Sequence, residues 1–300
     1  MTSWLAGEPE HEAWGHGFLL DRQGHRVHYT RGGSGPPVVC LHGWPGFWFD
    51  YRRLRPLLEE DADVIAIDLR GFGASDRPNL HVREYGRDAQ AAVVRGVLDD
   101  LGIAAAVLVG YDIGSAVAIQ VARDVPERVT GLVLGNPMHP GAGRLALSPD
   151  HRGEFWYQDF HRLSLADELI DGEPAAIEAY LRYFYDHWGH RHASFGPDHM
   201  AALVRTYAEP GAFSASLNWY RSGSSTVFAA MAARSAPPQP GVAVPAAVLW
   251  GAADPIFPLP FAEGLDETLP GHTMTVLDDV GHFVPLEAPR EMAVAVRSML

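Results

Sequence analysis

The stretch Val107-Leu-Val-Gly-Tyr-Asp-Ile-Gly-Ser-Ala-Val-Ala118 governs how the rest of the chain is read. It opens with a short apolar run ending at Gly110, the pattern of a strand buried on both faces. Its small and β-branched closing residues run into Ile119-Gln-Val-Ala-Arg123 and read as a helix. Between them, Gly110-Tyr-Asp112-Ile-Gly114 has the small–x–acid–x–small spacing of a nucleophile elbow. In that turn small residues let a strand fold sharply into a helix and lift the central side chain clear of the sheet. Ser is the common occupant of the centre; here it is Asp112. Asp is also among the best helix N-caps, so the junction alone is compatible with capping and nothing more. The flanking sequence has to decide between the two.

The same alternation of strand and helix continues on both sides. Phe18-Leu-Leu-Asp21 and Arg26-Val-His-Tyr-Thr30 read as a hairpin turning near Gly24, and Arg31-Gly-Gly-Ser-Gly-Pro-Pro37 reads as a loop. Val38-Val-Cys-Leu41 and Val64-Ile-Ala-Ile-Asp68 are short apolar strands, with an amphipathic helix expected over 50–60 between them and another over 84–101. Residues 129–134 form the strand after the elbow helix. Short apolar strands alternating with helices imply a mostly parallel sheet covered on both faces. Ligands of such sheets sit beyond the carboxyl ends of the strands, where Trp44, Asp112 and Asn136 should converge. From Pro140 to about Arg234 no strand is expected; aromatic-rich helices over 154–165, 175–188, 197–208 and 213–221 read as a cap inserted over that edge. Pro237-Pro-Gln-Pro-Gly241 leads back to strands at Ala246-Ala-Val-Leu-Trp250 and Thr273-Met-Thr-Val276. The expected organisation is α/β: a core over 1–139, a helical cap over 140–236, and the rest of the core over 237–300.

Composition narrows the function classes. Three hundred residues with 47% hydrophobic content can bury a full core. A net charge of −14 without a block of like charges argues against nucleic acid and anionic membranes as partners. The single cysteine, Cys40, lies in an apolar run and reads as a buried, inert thiol. Glu8, Glu10 and Glu12 stand where a signal peptide would be basic and then apolar, and no stretch approaches the roughly 18 apolar residues of a membrane span. A cytoplasmic protein is the default expectation, and a homo-oligomer is left open. No metal or other cofactor is implied, because no carboxylate or cysteine stands at ligand spacing beside the histidines.

A nucleophile on an elbow needs a base, and the base an orienting acid. Trp250-Gly-Ala-Ala-Asp254 places an acid just past a strand, and Asp279-Val-Gly-His282 places a histidine after the last one. The order nucleophile, acid, histidine is that of α/β-hydrolases. An oxyanion hole takes one N–H from the residue after the nucleophile and one from the loop after an earlier strand, which points to Ile113 and Trp44.

On these residues the chain resembles an epoxide hydrolase of the α/β-hydrolase superfamily, from about Phe18 onward. His42-Gly-Trp-Pro-Gly-Phe-Trp48 matches the family's HGxP motif, whereas Asp68-Leu-Arg-Gly-Phe-Gly-Ala-Ser-Asp76 and the elbow match motifs shared with dehalogenases. Two cap segments, Trp156-Tyr157-Gln-Asp-Phe160 and Leu217-Asn-Trp-Tyr220-Arg221, resemble the places where these enzymes carry two ring-opening tyrosines; the resemblance implies Tyr157 and Tyr220. It also implies a cis Trp44–Pro45 bond, catalysis by Asp112, His282 and Asp254, and an apolar epoxide plus water as substrates. Trp44, Phe47, Trp156 and Trp219 are the expected substrate-binding aromatics. Two departures stand out: Tyr111 precedes Asp112 where many relatives have His, and Asn136 sits where some place the orienting acid. A haloalkane dehalogenase would usually carry Trp, not Ile113, after the nucleophile, and a fluoroacetate dehalogenase would want arginines there. A ligand-binding member of the fold without turnover stays open as a different class.

Overall fold

Eight strands form one sheet in the order β1-β2-β4-β3-β5-β6-β7-β8. They are β1 His16–Leu20, β2 Arg26–Gly33, β3 Pro37–Leu41, β4 Asp63–Ile67, β5 Ala106–Tyr111, β6 Val129–Gly135, β7 Ala246–Gly251 and β8 Thr273–Leu277. β2 runs antiparallel to β1 and β4, and every other pairing is parallel. The computed structural model describes residues 14–235 and 239–300. The acidic stretch with Glu8, Glu10 and Glu12, and residues 236–238 of the return linker, lie outside the described residues.

β4, β5 and β7 are buried along their whole length, as their uninterrupted apolar runs require of strands covered on both faces. The helices Arg87–Asp100 (α1) and Ile113–Asp124 (α2) supply part of the cover, and the outermost strand, β8, is largely exposed. Among the described residues, no helix is long and apolar enough to cross a membrane.

The structure departs from the sequence reading in four places. β2 continues through the expected loop to Gly33, because Arg31, Gly32 and Gly33 pair with β4 and the Arg31 guanidinium lies 2.7 Å from Asp63. Gly33, at φ 89°, passes so close to the Ala62 carbonyl oxygen that a Cβ would stand 2.2 Å from it. The helix expected over 50–60 is instead a turn at Trp48–Tyr51 and another at Arg55–Leu58. Pro56 has no N–H to continue a helical ladder from Arg52.

In the stretch read from sequence as a cap, and called the cap below, the first expected helix is two: Trp156–Phe160 (α3) and Ser164–Ile170 (α4). They are followed by Pro174–Trp188 (α5), Pro197–Tyr207 (α6) and Ala212–Arg221 (α7), close to expectation. A further helix, Thr226–Ala233 (α8), was not expected; its Ala-rich sequence has no polar face to reveal a helical period.

Candidate active site

The elbow is as tight as its glycines imply. A Cβ on Gly114 would stand 2.0 Å from the Leu41 carbonyl oxygen, and one on Gly110 would stand 2.6 Å from the Gly114 backbone. Only glycine lets α2 start this close to β3 and β5. Asp112 at the apex has φ 48° and ψ −125°, a conformation that side chains rarely adopt and that costs of order 1–3 kcal/mol. Its side chain does not cap α2. The capping alternative therefore falls, and the carboxylate points elsewhere.

It points at two backbone amides. The Trp44 N–H donates to Asp112 Oδ2 at 2.7 Å, and the neighbouring Ile113 amide helps hold the carboxylate's pKa down. The loop carrying Trp44 turns through a cis Trp44–Pro45 bond. Burial raises the Asp112 pKa above the usual carboxylate value, opposed by His282 and by the Trp44 and Ile113 amides. The side chain nevertheless keeps 15% of its surface accessible.

His282 Nε2 faces the other oxygen, Oδ1, at 4.0 Å, which is too far for a hydrogen bond. That nitrogen is buried without a hydrogen-bond partner. On the far side of the ring, Nδ1 lies 2.8 Å from Asp254 Oδ2. Burial works against protonating His282, but the charge and hydrogen bond of Asp254, with help from Asp112, outweigh it and raise the pKa above the usual histidine value. Asp254 is itself held by three more donors: the amides of Ile256 at 2.8 Å and Phe257 at 3.1 Å, and Asn136 Nδ2 at 2.5 Å. Asn136, at φ 39°, also accepts from the Gly251 amide at 2.7 Å, tying the end of β6 to the end of β7.

Both cap tyrosines reach this edge. The Tyr157 and Tyr220 rings are buried 5.7 Å apart, and the Trp44 ring lies 5.8 Å from each. Burial first, then Asp112 for Tyr157 and Tyr157 followed by Asp112 for Tyr220, holds both phenols well above their usual pKa, so both remain O–H donors. Gln158 Nε2 donates to Tyr157 Oη at 3.1 Å, and the Val227 amide of α8 holds Gln158 in turn at 3.0 Å.

The other expected aromatics are placed differently. Phe47 is buried against Trp48 and Phe49. Trp156 is 40% exposed and, with Ile170, Tyr180 and Tyr183, lines a groove of about 520 Å³ on the outside of the cap. Trp219 is buried next to Tyr220 in α7.

Several contributors escaped the sequence reading. His161 is buried with its ring 4.5 Å from Tyr220 and 4.6 Å from Trp44, and its Nε2 lies 2.8 Å from Tyr180 Oη. Trp188 packs its ring on His282 at 5.2 Å and accepts the His282 amide on its carbonyl at 2.9 Å. Buried Glu287 joins cap to core by accepting four amides, those of His190, Arg191, Gly281 and Phe283. Nothing local in the sequence marks these three, because each acts through partners far along the chain.

A family model described as alpha/beta hydrolase fold matches residues 36–289. The soluble epoxide hydrolase of Corynebacterium sp. strain C12 is 29% identical over 283 residues, covering 89% of this chain and 91% of that one. Haloalkane dehalogenase 2 of Mycobacterium tuberculosis is 27% identical over 279 residues, 90% of each chain. Among solved structures, one titled as novel epoxide hydrolases from hot-environment metagenomes superposes with a TM-score of 0.79 at 25% identity, covering 95% of this chain and 98% of that one.

Proposed function

We propose, for a chain that belongs to the α/β-hydrolase fold family, that it hydrolyses an apolar epoxide to a vicinal diol through an ester on Asp112. One observation carries the reading: a largely buried carboxylate on an elbow faces a His–Asp pair, and two buried tyrosines pack on the ring of Trp44, whose amide holds that carboxylate. Oδ2 is held by the Trp44 amide, which leaves Oδ1 as the attacking atom. Attack of Oδ1 on a ring carbon forms the ester C–O bond and breaks the ring C–O bond. The electron pair goes to the ring oxygen, which takes a proton from Tyr157 or Tyr220. Serine in the same place would give an ether that water does not readily cleave, whereas the ester can be hydrolysed.

In the second step His282 removes a proton from water, and the hydroxide adds to the Asp112 carbonyl carbon. Oδ2 takes the charge between the Trp44 and Ile113 amides, each such donor being worth roughly 10²–10³ in rate. Collapse expels the diol oxygen, which takes a proton from His282; the hydrogen left on the Asp112 acid returns to the tyrosine oxygen that gave up its proton in ring opening, so Asp112 is again a carboxylate and the tyrosine again a phenol. A separation of 4.0 Å between Nε2 and Oδ1 suits a base that acts through water.

The similarity to haloalkane dehalogenases makes displacement of halide the competing chemistry at the same Asp112. That reaction wants N–H donors free for the leaving ion, and the Trp44 indole N–H instead points at Ser216 Oγ, 3.3 Å away. The deciding experiment is the intact mass of a His282→Gln variant after exposure to an aryl epoxide and, separately, a bromoalkane. A gain equal to the whole epoxide is expected. A gain equal to the alkyl group from the bromoalkane, with none from the epoxide, makes the protein a dehalogenase. No adduct from either, with an inactive wild type, makes it a binding protein.

A further inference from the structure

Tyr111, just before the nucleophile, and Asp50, 61 residues away, meet beneath the loop that carries the Trp44 amide. The Tyr111 hydroxyl donates to Asp50 Oδ2 at 2.6 Å, and both side chains are fully buried. Their fit against the loop is close. A Cβ on Gly43 would stand 2.6 Å from the Tyr111 ring and 2.8 Å from the Asp112 Cβ. One on Gly46 would stand 1.9 Å from Asp50 Oδ2 and 2.8 Å from the Tyr111 hydroxyl. The other edge of the Tyr111 ring meets His282, centroid to centroid at 6.2 Å. From above, the hydroxyls of Tyr185 (α5) and Tyr207 (α6) donate to the Pro45 and Gly46 carbonyls, each at 3.2 Å. The turn is thus clamped between two cap tyrosines and the Tyr111–Asp50 pair.

We propose that Tyr111 and Asp50 are positioning residues that set the Trp44 N–H for the ester-hydrolysis step. The inference rests on the two-step reading above. It assigns the pair an unequal effect on the two steps. In the free protein the Trp44 amide stabilises a carboxylate whose charge is spent as the ester forms, so loosening that amide does not slow attack. In hydrolysis the charge reappears on the same oxygen at the tetrahedral stage, and a misplaced amide then costs rate. Asp50 Oδ1 has no hydrogen-bond partner, and burial pushes the Asp50 carboxyl up to about 7 against the pull of the Tyr111 hydroxyl and of Arg52. A buried acid with a single strong side-chain partner is expensive to keep unless it has a task.

The test is rapid-quench intact mass with an aryl epoxide on wild type, Tyr111→Phe, Asp50→Asn and the double variant Tyr111→Phe/Asp50→Val. The double variant removes both polar groups together and leaves no orphan, so it should fold even if Tyr111→Phe alone does not. Tyr111→Phe and the double variant are expected to slow ester hydrolysis about tenfold while formation changes less than about threefold, so that ester accumulates. Asp50→Asn keeps an oxygen that can accept from Tyr111 and should recover most of the hydrolysis rate. Loss of both steps in proportion, or variants that match wild type step for step, would overturn the inference alone. A wild type that never forms ester overturns the functional reading and this inference with it.

Discussion

The two halves of the site are held by different forces. The core half is ionic and fixed by backbone: Asp112 sits between two amides, and Asp254 accepts four hydrogen bonds, including the one from His282. The cap half is neutral and fixed by packing. Tyr157 and Tyr220 are placed by rings: Trp44, His161 and, against Tyr157, Trp188 at 5.0 Å. Groups whose charge changes during reaction stand on the rigid sheet edge, where reorganisation is least and electrostatics act in a dry setting. Groups that must hold their proton until the ring oxygen needs it are delivered by an apolar lid that itself keeps them protonated. Core substitutions should therefore act sharply and singly, and cap substitutions by degrees.

The largest effect should come from the core. Asp112→Asn removes the proposed nucleophile while keeping an oxygen for the Trp44 amide, and turnover is expected to fall by at least about 10⁴-fold. Because burial disfavours the charged form of Asp112, the variant should be no less stable than wild type at neutral pH in urea denaturation. An active Asp112→Asn, free of deamidated protein by mass, would remove the covalent route. In the cap, Tyr157→Phe together with Tyr220→Phe should cost about 10³-fold in ring opening, and each single change only about tenfold, since either hydroxyl can serve. Single-turnover ester formation reads this directly. Equal losses from one and from both tyrosines would mean that the cap half, like the core half, works as a unit.

How much of this was legible follows the same division. The elbow is written locally as a pentapeptide, and Gly110 is demanded by the Gly114 backbone within it, although Gly114 itself is demanded by the Leu41 carbonyl at the end of β3. Asp254 and His282 follow apolar strands, so the topology alone brings them to the edge. Tyr157 and Tyr220 were visible only through resemblance, since a cap built from aromatic packing has no spacing that marks two phenols among ten tyrosines. Asn136 was visible as an oddity, but its task of gripping the acid depends on a partner 118 residues away. The strut of Asp50 under Tyr111, the clasp of Glu287 and the ring of His161 are non-local in the same sense. The break at Pro56 and the hidden helix Thr226–Ala233 are failures of periodicity: one pattern was interrupted, the other had no polar face to count.

Between the halves stands Glu287, whose two oxygens take amides from both sides of the cap–core seam. Gln there would present an NH₂ group to amides that need an acceptor. The expected loss is about 2 kcal/mol of unfolding free energy, with hydrogen exchange rising first at residues 188–191 and 281–283. Exchange that rises evenly over the sheet would mean that Glu287 supports the core alone.

The smallest effect is one of pH, and it tests how the two halves couple. In the proposed mechanism His282 must be neutral to act as base, so hydrolysis should be lost as pH falls through its pKa, which, against burial, Asp254 and Asp112 hold above the usual histidine value. Once Asp112 carries the ester its negative charge is gone, and so is its share of that upward pull. His282 in the intermediate should therefore titrate at lower pH than in the free protein, and the base should be freed at the moment it is needed. Single-turnover ester hydrolysis, followed from pH 5 to pH 9, is expected to give an acid limb below the His282 titration seen by NMR in the free protein. If the two midpoints coincide, Asp112 does not set the charge of its own base, and Asp254 alone poises His282.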